Sequence, residues 1–552
     1  MLNRYRWARA GDINAFFGLM LDNLAGLVLT VSMLATAFGF PANFTVRYMI
    51  PGTALGVVVG DVLFTWMAFR LARRSGRDDV TAMPLGLDTP STIGMVLFVV
   101  GPAFVEATKG GANSEQAARL AWQIGICSIV FSGLIKLLSA LGSDWIRRVV
   151  PRAGLLGSLA AIALVLISFL PLLDIFQIPI VGLASLAVIL TTLVARVSLP
   201  LKIPGALGAL LVGGGFYYLL KGCGWIAIEP ASLPTTGALF PREWLEVFSF
   251  DWIKAIPLAA KYLPIVVPFA LATVVGGIDC TESAAAVGDE FRTGRIIAVE
   301  GFATLVAGFC GGVIQTTPYI GHPAYKAMGG RAAYTLATAL FIGSAGICGY
   351  FGYLYALIPQ AALLPILIFV GLEITAQSFH ATPTKHYAAV ALACVPALAS
   401  LVMIFADQVL AQSGKTFDQL AGPLPQQLQT MRILSGGFII TSLLWAAGLA
   451  ALIDRRLSLS AVYFGLCGLF SLFGVIHSPL PGNPLILPWQ PLSLPPGSAG
   501  QTPLMLGLGY LTMAALLCGW DCLRPASERA ATPTPASAIS APPDSPPEKQ
   551  RE

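Results

Sequence analysis

The stretch from Gly276 to Arg331 opens with GGIDCTESAAAVG (276–288), turns through DEFRTGR (289–295), crosses an apolar run and ends in VIQTTPYIGHPAYKAMGGR (313–331). Acidic residues, prolines and a histidine sit inside sequence that is otherwise apolar enough to span a bilayer. Ionisable groups at membrane depth are costly and mark substrate or ion paths. Thr317-Pro318 and His322-Pro323 interrupt what would be a spanning helix. Non-helical backbone survives at that depth only where protein or a water-lined cavity satisfies it. The stretch therefore predicts a binding site in the middle of a membrane transporter.

Composition agrees. Of 552 residues 56% are hydrophobic and only 11% are charged, against roughly 25% charged in a soluble domain, and mean hydropathy is +0.76. Apolar windows of about 20 residues recur from near Ile13 to near Cys522, the helical rather than the barrel signature. The net charge of +5 lies largely in short loops and the N-terminus and needs no nucleic-acid partner. Nine cysteines are scattered singly, without metal-ligand spacing, and read as small apolar side chains. No structural disulfide, metal or cofactor is expected.

Arg4, Arg6 and Arg9 before an apolar run ending in Ala35-Thr36-Ala37 imitate a signal peptide. Asp22 and Asn23 interrupt that run, which reads instead as the first spanning helix. Sixteen candidate segments follow: 13–38, 47–70, 83–101, 119–141, 152–172, 176–196, 203–221, 257–285, 296–313, 315–331, 332–357, 361–378, 386–410, 432–453, 457–476 and 503–523. Counting alternate loops puts the arginine- and lysine-rich ones on one side, the cytoplasmic side by the positive-inside rule, with both termini there. The acidic loop 222–256, with an interfacial segment at 241–256, falls on the other. The chain divides into a first repeat (1–221), this extracytoplasmic loop (222–256), a second repeat (257–453), additional membrane helices (454–523) and a proline-rich disordered cytoplasmic tail (524–552).

MPLGLDTPSTIGM (83–95) and IQTTPYIGHPAYKAM (314–328) share a Thr-Pro followed by Ile-Gly, about 230 residues apart, in the third and tenth segments. With an odd number of segments between equivalents, the second copy enters the membrane from the opposite side, the arithmetic of an inverted repeat. The residue before proline is pushed to an extended conformation and proline favours the first turn of a helix. Asp88 or Thr89, and Thr317, are candidate caps of the following helices. Two such N-termini facing each other would offer N–H groups and positive dipole ends to a polar ligand. The plainer alternative is a proline kink in each helix.

Candidate ligand residues follow. Asp279, Glu282 and Ser283 share one helix face, and two carboxylates in low dielectric suit reversible proton binding; Glu282 also lies near a helix end, where it can reach water. His322 can bond a heterocycle or switch charge near neutral pH, or simply bond a neighbouring helix. Tyr319 can stack on a planar solute or pack on a helix. Asp22 mirrors Asp279 in the repeat and reads either as a second proton site or as a partner of a broken segment. Asp61 is a weaker candidate, and His380 and His386 read as surface residues.

Ile278-Asp279-Cys280, Thr316-Thr317-Pro318-Tyr319-Ile320-Gly321-His322, Gly329-Gly330-Arg331 and LPILIFVG (364–371) resemble the nucleobase cation symporter family of xanthine/uracil permeases, most closely its azaguanine-type hypoxanthine/guanine branch. The likeness covers roughly the central third of the chain. It implies an all-α polytopic membrane protein of about 14 transmembrane helices in two inverted seven-helix repeats, with core and gate domains, often a homodimer, moving like an elevator. The two helices after residue 453 are additions to that plan. The family's tenth-helix carboxylate falls on Gly321 or His322, so that ligand group is missing.

The sequence thus predicts a proton-coupled symporter of the inner or plasma membrane, taking a purine-like nucleobase at Asp279, Thr317, Tyr319, Gly321, His322, Thr89 and Pro90, with Asp279, Glu282 and Asp22 coupling the proton. The partners expected are the small-molecule solute, the proton and the lipid bilayer. An anion transporter on the same fold is the alternative. An embedded enzyme or receptor would need a constellation such as HExxH or GxSxG, and neither is present.

Overall fold

The structure, a computed structural model, describes residues 5–142, 152–200, 203–226, 239–319, 321–413, 417–480 and 501–525. Arg4, the loop residues Arg147, Arg148, Lys202 and Glu229, and the tail beyond 525 lie outside the described residues. The chain is a polytopic helical membrane protein of two inverted repeats. Among the described residues nine helices are long and apolar enough to cross a bilayer, or eleven if each of two bent pairs is one span.

The first repeat runs α1 (Gly11–Phe38), α2 (Ala42–Ser75), strand β1 (Leu85–Leu87), α3 (Thr89–Lys109), α4 (Ser114–Leu141), α5 (Leu156–Gln177), α6 (Pro179–Val194) and α7 (Gly205–Gly222). The second runs α8 (Leu263–Ala286), α9 (Thr293–Phe309), strand β2 (Thr316–Pro318), α10 (His322–Ala327), α11 (Ala333–Ile347), α12 (Gln360–His380), α13 (Thr384–Leu410) and α14 (Phe438–Ile453). Of two further helices, α15 (Leu457–Leu472) packs on α14, and α16 (Thr502–Leu523) packs on α15 and reaches α14 through the Trp445–Tyr510 hydrogen bond.

The helices break in the third and tenth segments, where the Thr-Pro motifs predict it. The third and tenth segments each hold a three-residue strand, and the two strands pair antiparallel with Leu85 opposite Pro318, Gly86 opposite Thr317 and Leu87 opposite Thr316. Antiparallel pairing is what the inverted-repeat count demands, because the second segment enters from the other side. The register of the repeat changes, however. Thr317-Pro318 is in the strand, and the proline that opens α10 is Pro323; the counterpart of Thr89-Pro90 is thus His322-Pro323.

Helices close to this crossing rely on small residues. Gly52 and Gly56 stand on one face of α2, and a Cβ on them would lie 2.2 Å from the Cys310 carbonyl oxygen and 2.6 Å from Ala307 Cβ. Lipid tails provide no hydrophobic drive between helices, so close backbone approach of this kind holds them together. α1, the run that imitates a signal peptide, is a spanning helix packed in the core against β1 and α11. In the 241–256 segment Trp244 and Trp252 turn inward, Trp252 packing its ring on Phe309 at 5.8 Å between centroids, while Leu245, Phe248, Phe250 and Ile253 are exposed.

Candidate functional site

A two-stranded ribbon inside a membrane protein has two unpaired edges, and each exposed N–H or C=O there costs several kcal/mol unless satisfied. Side chains supply the partners. On the β1 edge, Asn23 of α1 donates from Nδ2 to the Leu85 carbonyl (3.4 Å) and accepts at Oδ1 from the Leu87 N–H (3.1 Å), while Asp61 Oδ1 of α2 accepts from the Leu85 N–H (3.2 Å). On the β2 edge, Thr304 Oγ1 accepts from the Thr316 N–H (3.3 Å), Lys136 Nζ donates to the Thr316 carbonyl (2.8 Å), and Cys280 Sγ donates to the Pro318 carbonyl (3.3 Å). The ladder continues past both strands through Asp88 N–H to Gln315 O and Tyr319 N–H to Pro84 O. These polar residues at membrane depth therefore hold the crossing itself.

A fully buried polar centre adjoins β2. Lys136 Nζ lies 2.8 Å from Glu300 Oε1, with neither side chain exposed. Asp88 caps α3 by accepting from the Ser91 N–H (2.9 Å), and Gln315 reaches Asp88 through Nε2 and Ser132 through Oε1. Sequence reading did not single out Lys136 or Glu300. The signal was present: each is a lone ionisable residue inside an apolar helix, the same criterion that selected Asp22 and Asp279.

The predicted site residues separate. Thr89 and Pro90 open α3 and are buried at the crossing. Thr317 lies in β2 opposite Gly86; being in the strand it caps no helix. Tyr319 continues the strand direction, half-buried, its ring 6.1 Å from that of Tyr325. Gly321 precedes α10, and a Cβ there would meet the Tyr319 ring at 2.6 Å. Asp279 is half-buried on α8, next to Cys280. The Glu282 side chain lies outside the described residues. Asp22 is 6% exposed, its Oδ1 has no hydrogen-bond partner among the described residues, and a Cβ on Gly86 would lie 3.5 Å from its Oδ2.

His322 belongs elsewhere. Its Nε2 is 3.1 Å from Asp289 Oδ2, and both side chains are fully buried. Asp289 also pairs with Lys326 (2.7 Å) and Arg77 (3.4 Å) and accepts from the Thr81 N–H (3.1 Å). Burial raises the Asp289 carboxyl, but the hydrogen bonds from His322, Lys326 and Thr81 outweigh it and hold the group below the usual carboxylate range. The imidazole expected to face a solute is thus committed to locking α10 to the loop after α8. His386, expected at the surface, is likewise buried, 2.9 Å from Asp454.

No family model and no curated protein matches the chain. Solved structures do match. The transmembrane domain of a cyanobacterium bicarbonate transporter, BicA, aligns at TM-score 0.44 and 18% identity over 73% of this chain and 96% of that one. A structure of SLC26A9 aligns at TM-score 0.42 and 13% identity, over 70% of this chain and 62% of the other. Murine Slc26a9, titled an anion transporter in the inward-facing state, gives TM-score 0.37 and 13% identity over 74% and 70%. The assignment to nucleobase cation symporters is corrected by these findings: these matched structures carry the names of a bicarbonate transporter and of SLC26A9, and none that of a nucleobase permease. The tenth segment agrees, since its sequence places no carboxylate in the break and its histidine is bound to Asp289.

Proposed function

We propose that this chain is a secondary transporter that carries a small anion together with a proton, taking both at the crossing of β1 and β2. Asp22 is the observation that carries the reading. A carboxyl this deeply buried, with an oxygen that meets no donor among the described residues, costs several kcal/mol unless something neutralises it. A proton taken on one side of the membrane and released on the other fills that role. Gly86, with no side chain, leaves space beside it.

Three features support an anion as the solute. The sequence from Thr316 to His322 contains no acid. Lys136 brings a buried cation to the β2 edge, where it is shared with Glu300. α3 points its N-terminus at the crossing, where the dipole favours negative charge and already holds the capping Asp88 carboxylate. Protonating Asp22 removes the like charge that would repel the solute. Thr89, Thr317 and Tyr319 would line its path, with Asp279 facing the same space. The positive-inside distribution supports a cytoplasmic position for both termini.

The test uses the full chain in proteoliposomes, with labelled chloride, bicarbonate, sulfate and short carboxylates, and a pH gradient imposed or absent. Uptake of one of these anions driven by the gradient, with Asp22→Asn retaining anion exchange but losing the gradient's effect, is the expected result. No flux of any anion through correctly inserted protein, or unchanged coupling in Asp22→Asn, overturns the reading.

A further inference from the structure

A cavity of 360 Å³ lies away from the crossing, between the C-terminal end of α2 and the start of α9, and Arg70, Arg74, Arg292 and Arg295 converge on it. One acid, Glu290, shares the lining. The four arginines are close enough to bear on one another electrostatically. Among the described residues none of the four guanidinium groups is hydrogen-bonded or ion-paired; that of Arg70 lies over the Trp66 ring at 5.3 Å. Their neighbours on the same face behave differently. Arg9 pairs with Asp78, Arg77 with Asp79 and Asp289, and Lys326 with Asp289.

A second cavity of 690 Å³ adjoins the first and shares Arg292, Arg295 and Ala298 with it. Its remaining wall is apolar, with Leu134, Leu138 and Leu141 of α4 at 45%, 70% and 89% exposure. Trp66, 55% exposed, stands on the other side of the arginines, the position an amphipathic ring takes at the headgroup level of a bilayer. A cationic notch opening into a leucine groove has the shape and polarity of one molecule: phosphate at one end, hydrocarbon at the other. Basic pockets between transmembrane helices hold anionic headgroups in this way.

We infer that Arg70, Arg74, Arg292 and Arg295 form a binding site for an anionic phospholipid, its phosphate among the guanidinium groups and one acyl chain along Leu134, Leu138 and Leu141. Guanidinium groups suit the task because their fork matches phosphate oxygens. The occupant ties α2 to α9 and relieves the repulsion among four like charges. A free phosphate would answer the charges and leave the leucine groove unused.

The experiment is native mass spectrometry and thermal unfolding of the full chain in mild detergent, titrated with phosphatidylglycerol, phosphatidylcholine or inorganic phosphate. Retention and stabilisation should favour phosphatidylglycerol over phosphatidylcholine roughly tenfold or more, given the contribution of each arginine near an anionic headgroup. Arg292→Gln with Arg295→Gln should abolish the preference. Arg73→Gln, on the same helix but outside the cavity, should leave it intact. Leu138→Gln, which breaks the apolar groove without adding a charge beside Arg292 and Arg295, should weaken retention. Equal retention of the two lipids, an equal loss in Arg73→Gln, or full replacement of the lipid effect by millimolar inorganic phosphate overturns the inference.

Discussion

Lys136 Nζ stands 2.8 Å from Glu300 Oε1 and 2.8 Å from the Thr316 carbonyl oxygen, with both side chains fully buried. The pair couples α4 and α9 to the strand at the crossing, so its two halves are not independent. Removing one partner leaves an uncompensated buried charge and costs about 3–5 kcal/mol. Lys136→Met and Glu300→Gln should each lower the unfolding temperature in detergent sharply, and the double variant should recover most of the loss. Transport should stay impaired in the double variant, because the Thr316 carbonyl has lost its donor. Additive losses in the double-mutant cycle would show the two groups to be uncoupled.

Asn23 bonds β1 twice through one amide, donating to Leu85 O and accepting from the Leu87 N–H. Asn23→Ala leaves two backbone groups unmet in a dry interior, at about 1–3 kcal/mol each. Asn23→Asp keeps the acceptor and loses the donor, so its loss in unfolding temperature should fall between wild type and Asn23→Ala. An Asn23→Ala protein as stable as wild type would mean that the β1 edge finds other partners.

Much of this architecture was legible in the sequence. Apolar length fixed the helices, and the two Thr-Pro breaks led to a pair of inverted segments that do meet, strand to strand. The register of the repeat was misread because Thr-Pro and His-Pro both open helices, and only the pairing of Gly86 with Thr317 shows which proline belongs to the strand. The site was less legible. Motif order brought His322 to the solute, whereas its partner Asp289 lies 33 residues away on a loop whose approach no local pattern reports. Lys136 and Glu300 stand on different helices, and a buried pair of that kind is visible only once the helices are packed.

Asp289 supplies a pH dependence with a defined sign. Its folded value is held below the unfolded carboxylate value of about 3.9. The stability this provides is present above about pH 4 and is lost as the pH falls through the lower folded value. Asp289→Asn strands Lys326 and His322 and should cost about 3 kcal/mol at neutral pH. The gap in unfolding temperature between wild type and Asp289→Asn should narrow on acidification from pH 7 to pH 3. A gap independent of pH would exclude the carboxylate as its source.

At Gly52 the spacing between α2 and the end of α9 is set by the missing side chain, since a Cβ would lie 2.2 Å from the Cys310 oxygen and 2.3 Å from the Gly312 nitrogen. Both contacts are backbone, so neither yields by a rotamer change. Gly52→Ala should cost about 1–3 kcal/mol through overpacking, read as reduced yield of monodisperse protein and a lower unfolding temperature. Gly215→Ala, with open space around its position, is the matching control.

His477 makes the attachment of α15 and α16 sensitive to pH. Its Nδ1 is 3.1 Å from the Ile433 carbonyl, which can only accept, so Nδ1 carries the proton. Nε2 is then the acceptor for Tyr510 Oη at 2.9 Å, and Tyr510 in turn accepts from Trp445 Nε1 at 2.9 Å. One consistent direction of donors runs from α14 through α16 to the loop after α15. Burial holds the imidazole below its usual value, against the opposing pull of the Ile433 carbonyl. For a base with a depressed folded value, protonation favours the unfolded form, so stability is full above about pH 6.5 and declines as the pH falls below it. Hydrogen exchange in 457–472 and 502–523 should therefore quicken between pH 7 and pH 5 after correction for intrinsic rates, while exchange at the crossing strands does not. Tyr510→Phe removes both bonds to the hydroxyl, at about 1 kcal/mol each, and should quicken exchange in the same helices at pH 7. Uniform changes across the whole chain would instead mean that the added helices unfold together with the core.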